Sequence, residues 1–210
     1  MKKVIVLGAG GHAKAMLGVL ESMKAEIHGL IDIKVPKWTT LLAHYVLGDE
    51  SLLNNDQANS YYLALGIGNR RSTPVRKNIF DKFKAIGFEF ITAIHSSSIV
   101  HYSVNLAEGS QVMAGVIIQP MTHVGENTIL NTGSIIEHDC HIGAHCHIAS
   151  GAMLGGGVKI GENSFVGSGA IIMPEVVIGS RVTIGSGSVV LKNVADGETV
   201  VGVPARILKS

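Results

Sequence analysis

From Val100 to Val190 an aliphatic residue stands at every sixth position without a break. The series runs Val100, Leu106, Val112, Ile118, Val124, Leu130, Ile136, Ile142, Ile148, Leu154, Ile160, Val166, Ile172, Ile178, Ile184 and Val190. Such a run lies far beyond chance in a chain whose hydrophobic content is 46%. Two residues before each stop stands a small or β-branched residue, among them Ser110, Thr128, Ser134, Cys140, Cys146 and Ala152. Glycine often follows the stop, as at Gly125, Gly143, Gly161 and Gly185. A short fixed period means stacked identical units, and six residues is a β-helix period.

Side chains alternate faces along a strand, so residues two apart share the inside of such a stack. Each large aliphatic therefore points inward with its small partner. The residue after it is expected at a corner, where glycine tolerates positive φ. Units of this pattern resemble the hexapeptide-repeat family of acyltransferases, built as a left-handed parallel β-helix. The resemblance implies three hexapeptides per triangular coil, residues eighteen apart stacked directly, and about five coils ending near Asn193.

Aromatic residues make up only 5% of the chain, which suits a core of Ile, Val and Ala in layers. A net charge of +1 gives no reason to expect a nucleic-acid or anionic-membrane partner. The apolar run at the N-terminus is too short and wrongly flanked for a signal peptide, and no segment reaches membrane-spanning length. Cys140 and Cys146 both fall in the small inward slot of the repeat and are read as core residues. A reducing, cytoplasmic setting is expected.

The repeat leaves the first ninety-odd residues uncovered. Residues 2–7 read as a buried strand, followed by Gly8-Ala9-Gly10-Gly11-His12 and an amphipathic helix to about Met23. A second strand is expected over 28–33, ending on Asp32; then come a variable stretch over 34–57 and a third strand over 61–67. A helix over 73–86 and a strand over 89–94 complete an alternating α/β pattern, which argues for a small parallel sheet. The expected organisation is a Rossmann-like nucleotide-sugar-binding domain over 1–95 and an all-β left-handed parallel β-helix over 96–210, which the acyltransferase resemblance implies holds acetyl-CoA and the catalytic residues. The Gly8–Gly11 loop with Asp32 beyond it suits phosphate at a helix N-terminus and a ribose hydroxyl on the acid. The fingerprint for a full dinucleotide is incomplete, with Ala13 at its third glycine position, and a mononucleotide half fits a nucleotide-sugar better.

Four histidines crowd His138-Asp139-Cys140-His141-Ile142-Gly143-Ala144-His145-Cys146-His147. In the six-residue frame the cysteines point inward while His138 and His145 take different corners, so the ligands do not converge and no metal is expected. His138 projects outward beside Asp139. An imidazole oriented by a carboxylate is suited to accept the proton of an amine or hydroxyl attacking a thioester. Gly156 falls eighteen residues on, at the same corner of the next coil, where its N–H is placed to meet a developing oxyanion. His141 is expected to stack on His123, and His145 to join Asn127 and Asn163 in a polar ladder.

The order GAGGHAK, AIHSSSIV, NTGSIIEHDCHIGAHCHIASGA and GVPAR resembles, over essentially the whole chain, the sugar O-acyl and N-acetyltransferases related to sialic acid O-acetyltransferases. It looks closest to the nucleotide-4-aminosugar N-acetyltransferases of bacterial glycan synthesis. The resemblance implies His138 as general base with Asp139 raising its basicity, and His147 near the thioester. It also implies acetyl-CoA along a groove between neighbouring β-helices of a homotrimer, touching Gly156, Ser168, Gly185, Ser186 and the Pro204 loop. Nucleotide-sugar contacts are implied at Gly10, Gly11, His12, Asp32 and Gly68, with Asn131 facing the sugar. Arg70 and Arg71 are placed either to pair with the diphosphate or to stand as solvated charge. Some UDP-sugar members carry a second acid after the position of Asp32; here it is Ile33, so TDP and GDP sugars stand beside UDP. The expected reaction is acetyl transfer to the 4-amino group of a UDP- or TDP-linked amino-dideoxysugar. O-acetylation of sialic acid or another sugar, and a non-catalytic nucleotide-sugar-binding scaffold, are the alternatives.

Overall fold

The computed structural model describes residues 2–68 and 74–208. Two compact units divide the chain, Met1–Ser96 and Ser97–Ser210. No helix among the described residues is long and apolar enough to cross a membrane.

The first unit runs β1 (Lys3–Leu7), α1 (Gly11–Ser22), β2 (Ile27–Ile31), β3 (Thr40–Leu41), β4 (His44–Gly48), β5 (Tyr61–Leu65), α2 (Val75–Ala85) and β6 (Glu89–Phe90). Its sheet has the order β3-β4-β2-β1-β5-β6. β1 is central and pairs in parallel with β2 on one side and β5 on the other. Four consecutive residues of β1 are buried, the pattern of a strand covered on both faces. Ile5 and Leu7 join a cluster with Phe80, Phe83, Phe88 and Phe90. α1 packs on β1 and β5, burying Ala13, Met16, Leu17 and Leu20 at helical spacing. Strand order reverses between β1 and β5, and open α/β sheets bind ligands beyond the carboxyl ends of strands at such a point.

Three expectations for this unit change. The strand ending on Asp32 stops at Ile31, so the acid heads the following loop. The variable stretch over 34–57, to which the sequence assigned no element, holds two strands: β3 and β4 form a hairpin, and β4 extends the sheet in parallel beside β2. The hairpin turn is Leu42-Ala43, both at positive φ, with none of the glycine or asparagine that marks such turns. The strand expected over 89–94 contributes only Glu89–Phe90 to this sheet.

In the second unit the period of six becomes two-residue strands joined by four-residue turns. Successive strands fall on three faces. The first face carries Ile99–Val100 through Val189–Val190, the second Asn105–Leu106 through Val177–Ile178, and the third Gln111–Val112 through Thr183–Ile184. Partners across coils are eighteen residues apart, as in Ile117↔Ile135 and Ile135↔Met153. The unit is thus a left-handed parallel β-helix. Its closing strand, Thr199–Val201, pairs with Thr183–Ile184, and Arg206–Ile207 folds back on it antiparallel across the Pro204 turn. Ile118, Leu130, Ile136, Ile148, Leu154, Val166 and Ile184 fill the interior. Burying such a side chain stabilises by about 1.5–3 kcal/mol.

The small inward slot proves to be a hydrogen-bonding position. Thr128 and Ser164 donate their hydroxyls to the carbonyls of Gly143 and Gly179, at 2.9 and 2.8 Å. Cys140 and Cys146 direct their thiols in the same way at the carbonyls of Gly155 and Gly161. Burial raises these thiols to about 11 and about 12, so both are inert core groups.

The left-handed residue of each turn is not the one after the aliphatic stop but the third after it. Every sixth residue from Gly109 to Gly187 has φ between 54° and 70°, including Asn127, Asp139, His145 and Asn163. Glycine directly after the stop answers a different need. A Cβ on Gly125 or Gly161 would lie 2.5 Å from the backbone nitrogen of Ala144 or Ser180 in the next coil. Close stacking excludes a side chain there.

Candidate active site

His138 occupies the turn from the first face to the second. Its Nδ1 lies 2.7 Å from Asp139 Oδ2, and both side chains are more than half exposed. Asp139 is the left-handed residue of the turn, fixed by its N–H to the Pro120 carbonyl at 3.0 Å. The next coil returns the favour at His138, whose carbonyl accepts the N–H of Gly157 at 2.9 Å. A neutral imidazole that donates Nδ1–H to the carboxylate keeps the Nε2 lone pair outward, the tautomer a general base needs.

The imidazole lies directly over Gly156. A Cβ at that position would sit 2.7 Å from Cε1 and 2.8 Å from Nε2 of His138. Only glycine leaves the ring where it is. The Gly156 carbonyl accepts from Glu175, while its N–H donates to no group among the described residues. A free backbone donor beside Nε2 is the arrangement that stabilises an oxyanion next to a proton acceptor.

The neighbouring histidines have other roles. His141 stacks on His123 with ring centroids 4.6 Å apart, on the second face. His145 is buried and meets the side-chain amide of Asn127 at 3.0 Å. His147 lies on the third face, its Nε2 3.2 Å from Asn131 Nδ2 and its ring edge-on to Phe165. Among the described residues no three His, Cys, Asp or Glu side chains are grouped to hold a metal ion.

Ser168 and Ser186 are exposed and stack eighteen residues apart, in the turns from the third face to the first. Gly185 is buried beside them, its N–H committed to the Val200 carbonyl at 2.8 Å. Within one chain, then, the residues proposed for catalysis and most of those proposed for acetyl-CoA stand at different corners of the coil.

In the first unit, Gly10, Gly11, His12, Asp32 and Gly68 gather at the carboxyl ends of β1, β2 and β5. Gly10 caps α1 with no side-chain hydrogen bond, and a Cβ on Gly10 or Gly11 would meet nothing within 4 Å. Uncapped N–H groups facing open space suit a phosphate. Asp32 braces the loop instead of standing free: Oδ2 accepts from Ala9 at 2.7 Å, and Oδ1 from Lys34 and Val35 at 2.7 and 3.1 Å. Gly68 lies against His12. Arg70 and Arg71 lie outside the described residues.

One residue of this region has no signal in the sequence. Arg76 on α2 is buried and donates to the carbonyls of Ile67 and Leu65 at 2.7 and 3.3 Å, which positions the strand end beside Gly68. Burial pulls its pKa down to about 9, still charged at neutral pH. In the sequence it is one of several cations on an amphipathic helix.

Comparisons with known proteins match this geometry. The family of bacterial transferase hexapeptides (six repeats) matches residues 121–156 and 157–192. The PglD N-terminal domain matches residues 3–83. No curated protein matches the chain. Among solved structures, a single-histidine variant of GDP-perosamine N-acetyltransferase from Caulobacter crescentus, in complex with CoA and GDP-perosamine, superposes with a TM-score of 0.92 at 34% identity, covering 100% of this chain and 98% of that one. The acetyltransferase domain of PglB from Neisseria gonorrhoeae, in complex with acetyl coenzyme A, gives 0.89 at 31% identity, covering 99% of each.

Proposed function

This chain belongs to the hexapeptide-repeat sugar acyltransferases and is an acetyl-CoA-dependent acetyltransferase, and we propose that its acceptor is the 4-amino group of a nucleotide-linked amino-dideoxysugar. The observation that carries this reading is the outward His138–Asp139 pair lying over Gly156. The acceptor amine attacks the thioester carbonyl carbon, and its proton passes to His138 Nε2. Asp139 stabilises the imidazolium that results. The N–H of Gly156 meets the oxyanion of the tetrahedral intermediate. Collapse of that intermediate breaks the C–S bond, and the leaving thiolate takes up a proton. Asn131 and His147 are assigned to the sugar and the thioester, and Ser168, Gly185 and Ser186 to the rest of acetyl-CoA. Gly10, Gly11, His12, Asp32 and Gly68 are assigned to the nucleotide-sugar. Two unpaired thiols in the chain suit the cytoplasm, where we place the reaction.

Support comes from the relative in Caulobacter, which holds CoA and GDP-perosamine together when one histidine is replaced by alanine or by asparagine. A histidine can evidently be lost there without losing either ligand. For this chain the matching test is thiol release from acetyl-CoA with a panel of nucleotide-linked aminosugars and hydroxysugars. Activity is expected with amines, and His138→Ala should lower turnover roughly a hundred- to ten-thousand-fold with acetyl-CoA affinity unchanged. Turnover retained within about twofold removes the base assignment. Release with hydroxysugars alone removes the amine.

We further propose a homotrimer. The outward residues of the first face are all large and apolar: Ile99, Ile117, Ile135, Met153, Ile171 and Val189. Ile99, Met153 and Ile171 are exposed in the single chain. This face is bordered by the turns of His138 on one side and those of Ser168 and Ser186 on the other. Copies packed along it bring the two kinds of corner together, so one acetyl-CoA can meet both. Mixed trimers of His138→Ala and Ser168→Trp chains are therefore expected to regain activity that neither variant has alone. If mixing restores none, the sites are not shared between copies.

A further inference from the structure

A cavity of about 260 Å³ opens at the carboxyl ends of β1, β2 and β5, and so takes in the point between β1 and β5 where the strand order reverses. Its walls are aliphatic, from Leu7, Ile31, Ile67 and, on one face of α2, Val75 and Ile79. An apolar lining of this kind offers contact to a ring and leaves recognition to the few polar groups around it. Those are Asp32, Lys34 and Glu50. Asp32 spends both oxygens on backbone N–H groups. Lys34 carries only donors. Glu50 heads a short 3₁₀ turn and is held by Lys82 of α2 through Oε2, while Oε1 accepts no hydrogen bond among the described residues. Its side chain is 28% exposed. The cavity therefore presents one oriented carboxylate to whatever ring enters it.

We infer that this cavity is a guanine site and that Glu50 determines the base, so that the substrate is a GDP-linked sugar. The inference rests on the nucleotide-sugar reading above. A carboxylate accepts two parallel hydrogen bonds, and guanine alone offers two adjacent donors, N1–H and the N2 amino group, on one edge. Uracil and thymine place a carbonyl on either side of their single N–H, and both carbonyls would face the negative charge. Adenine offers one amino donor beside a ring-nitrogen lone pair. The ammonium of Lys34 on the same rim complements the O6 carbonyl of guanine. Lys82 holds the carboxylate in place through Oε2 without occupying it fully.

Titration calorimetry of the full chain with GDP, ADP, UDP and TDP tests this. GDP is expected to bind at least tenfold more tightly than UDP or TDP. Glu50→Gln, which turns one acceptor into a donor, should weaken GDP about ten- to a hundredfold and leave UDP within about twofold. Lys82→Met should keep the preference for GDP, because the carboxylate remains. UDP or TDP binding as well as GDP to the unaltered chain overturns the inference, as does a GDP preference that survives Glu50→Gln. If UDP wins while acetylation of aminosugars persists, the guanine assignment alone falls. If none of the four nucleotides binds, the nucleotide-sugar reading falls with it.

Discussion

Two consecutive turns of one coil each carry a histidine, and the two have opposite fates. In the turn from the first face to the second, His138 stands two residues after the stop at Ile136, exposed and bonded to Asp139. In the turn from the second face to the third, His145 stands three residues after Ile142, in the left-handed conformation itself, buried against Asn127. The side chains are the same and the local composition is similar. What differs is phase within the six-residue frame. The second residue of a turn projects away from the coil. The third has positive φ, and in the turn of His145 the ring turns back onto Asn127 one coil before. Asp139 holds the same third place in its own turn and stays exposed beside His138. Phase sets which way the backbone turns, and a matching partner in the next coil decides whether the side chain joins the wall.

The contrast is sharpest at the residue beneath His138. Gly155 and Gly156 are adjacent glycines, yet a Cβ would strike different things. On Gly155 it would lie 2.6 Å from the backbone nitrogen of Pro174, and on Gly156 2.7 Å from Cε1 of His138. Backbone cannot yield without opening the coil, whereas an exposed imidazole can swing aside. Gly156→Ala is therefore expected to keep its melting temperature and lose roughly a hundredfold in turnover, the effect of moving a catalytic group by about 1 Å. Gly155→Ala should instead lower the melting temperature. Steady-state kinetics beside thermal denaturation separates the two, and a Gly156→Ala enzyme with full turnover would show that the ring over Gly156 is not the working position.

Repetition is what made the second unit legible. A role that recurs every six residues can be read from many examples, so the inward cysteines, the stacked His123 and His141 and the corner of His138 all followed from the frame. Where the frame misled, it was in assigning one cause to glycine. The residues after each stop were expected to need positive φ; they need the absence of a side chain, and the positive φ lies two residues further on. The first unit has no such redundancy. Its alternating strands and helices and the Gly8–Gly11 loop are visible because they are local. β4 is not, because its hairpin turns on Leu42-Ala43 and its place beside β2 is set by packing. Glu50 and Arg76 acquire meaning only from what the fold brings near them, the rim of a cavity and the carbonyls after β5. Nothing in a linear pattern distinguishes them from other charges.

The smaller effect concerns the buried partner in the comparison. His145 is read as structural, with its neighbours in the ladder, Asn127 and Asn163, sharing its left-handed conformation. Three substitutions divide its contribution. His145→Ala removes the hydrogen bond to Asn127 and places a Cβ-bearing residue with no polar compensation in the left-handed region, so a loss of about 1–3 kcal/mol is expected. His145→Gly removes the bond but relieves the backbone, and should cost less than alanine. His145→Asn installs the residue already used one coil above and one coil below, and should be the mildest of the three. All three should leave turnover within about twofold, since His145 faces the ladder and not the substrate side of the coil. Chemical denaturation ranks the stabilities, and the ranking Asn, Gly, Ala is the specific expectation. Should His145→Asn fold normally yet lose turnover as His138→Ala does, phase would no longer separate the two histidines, and the acid–base chemistry would have to be shared between adjacent corners.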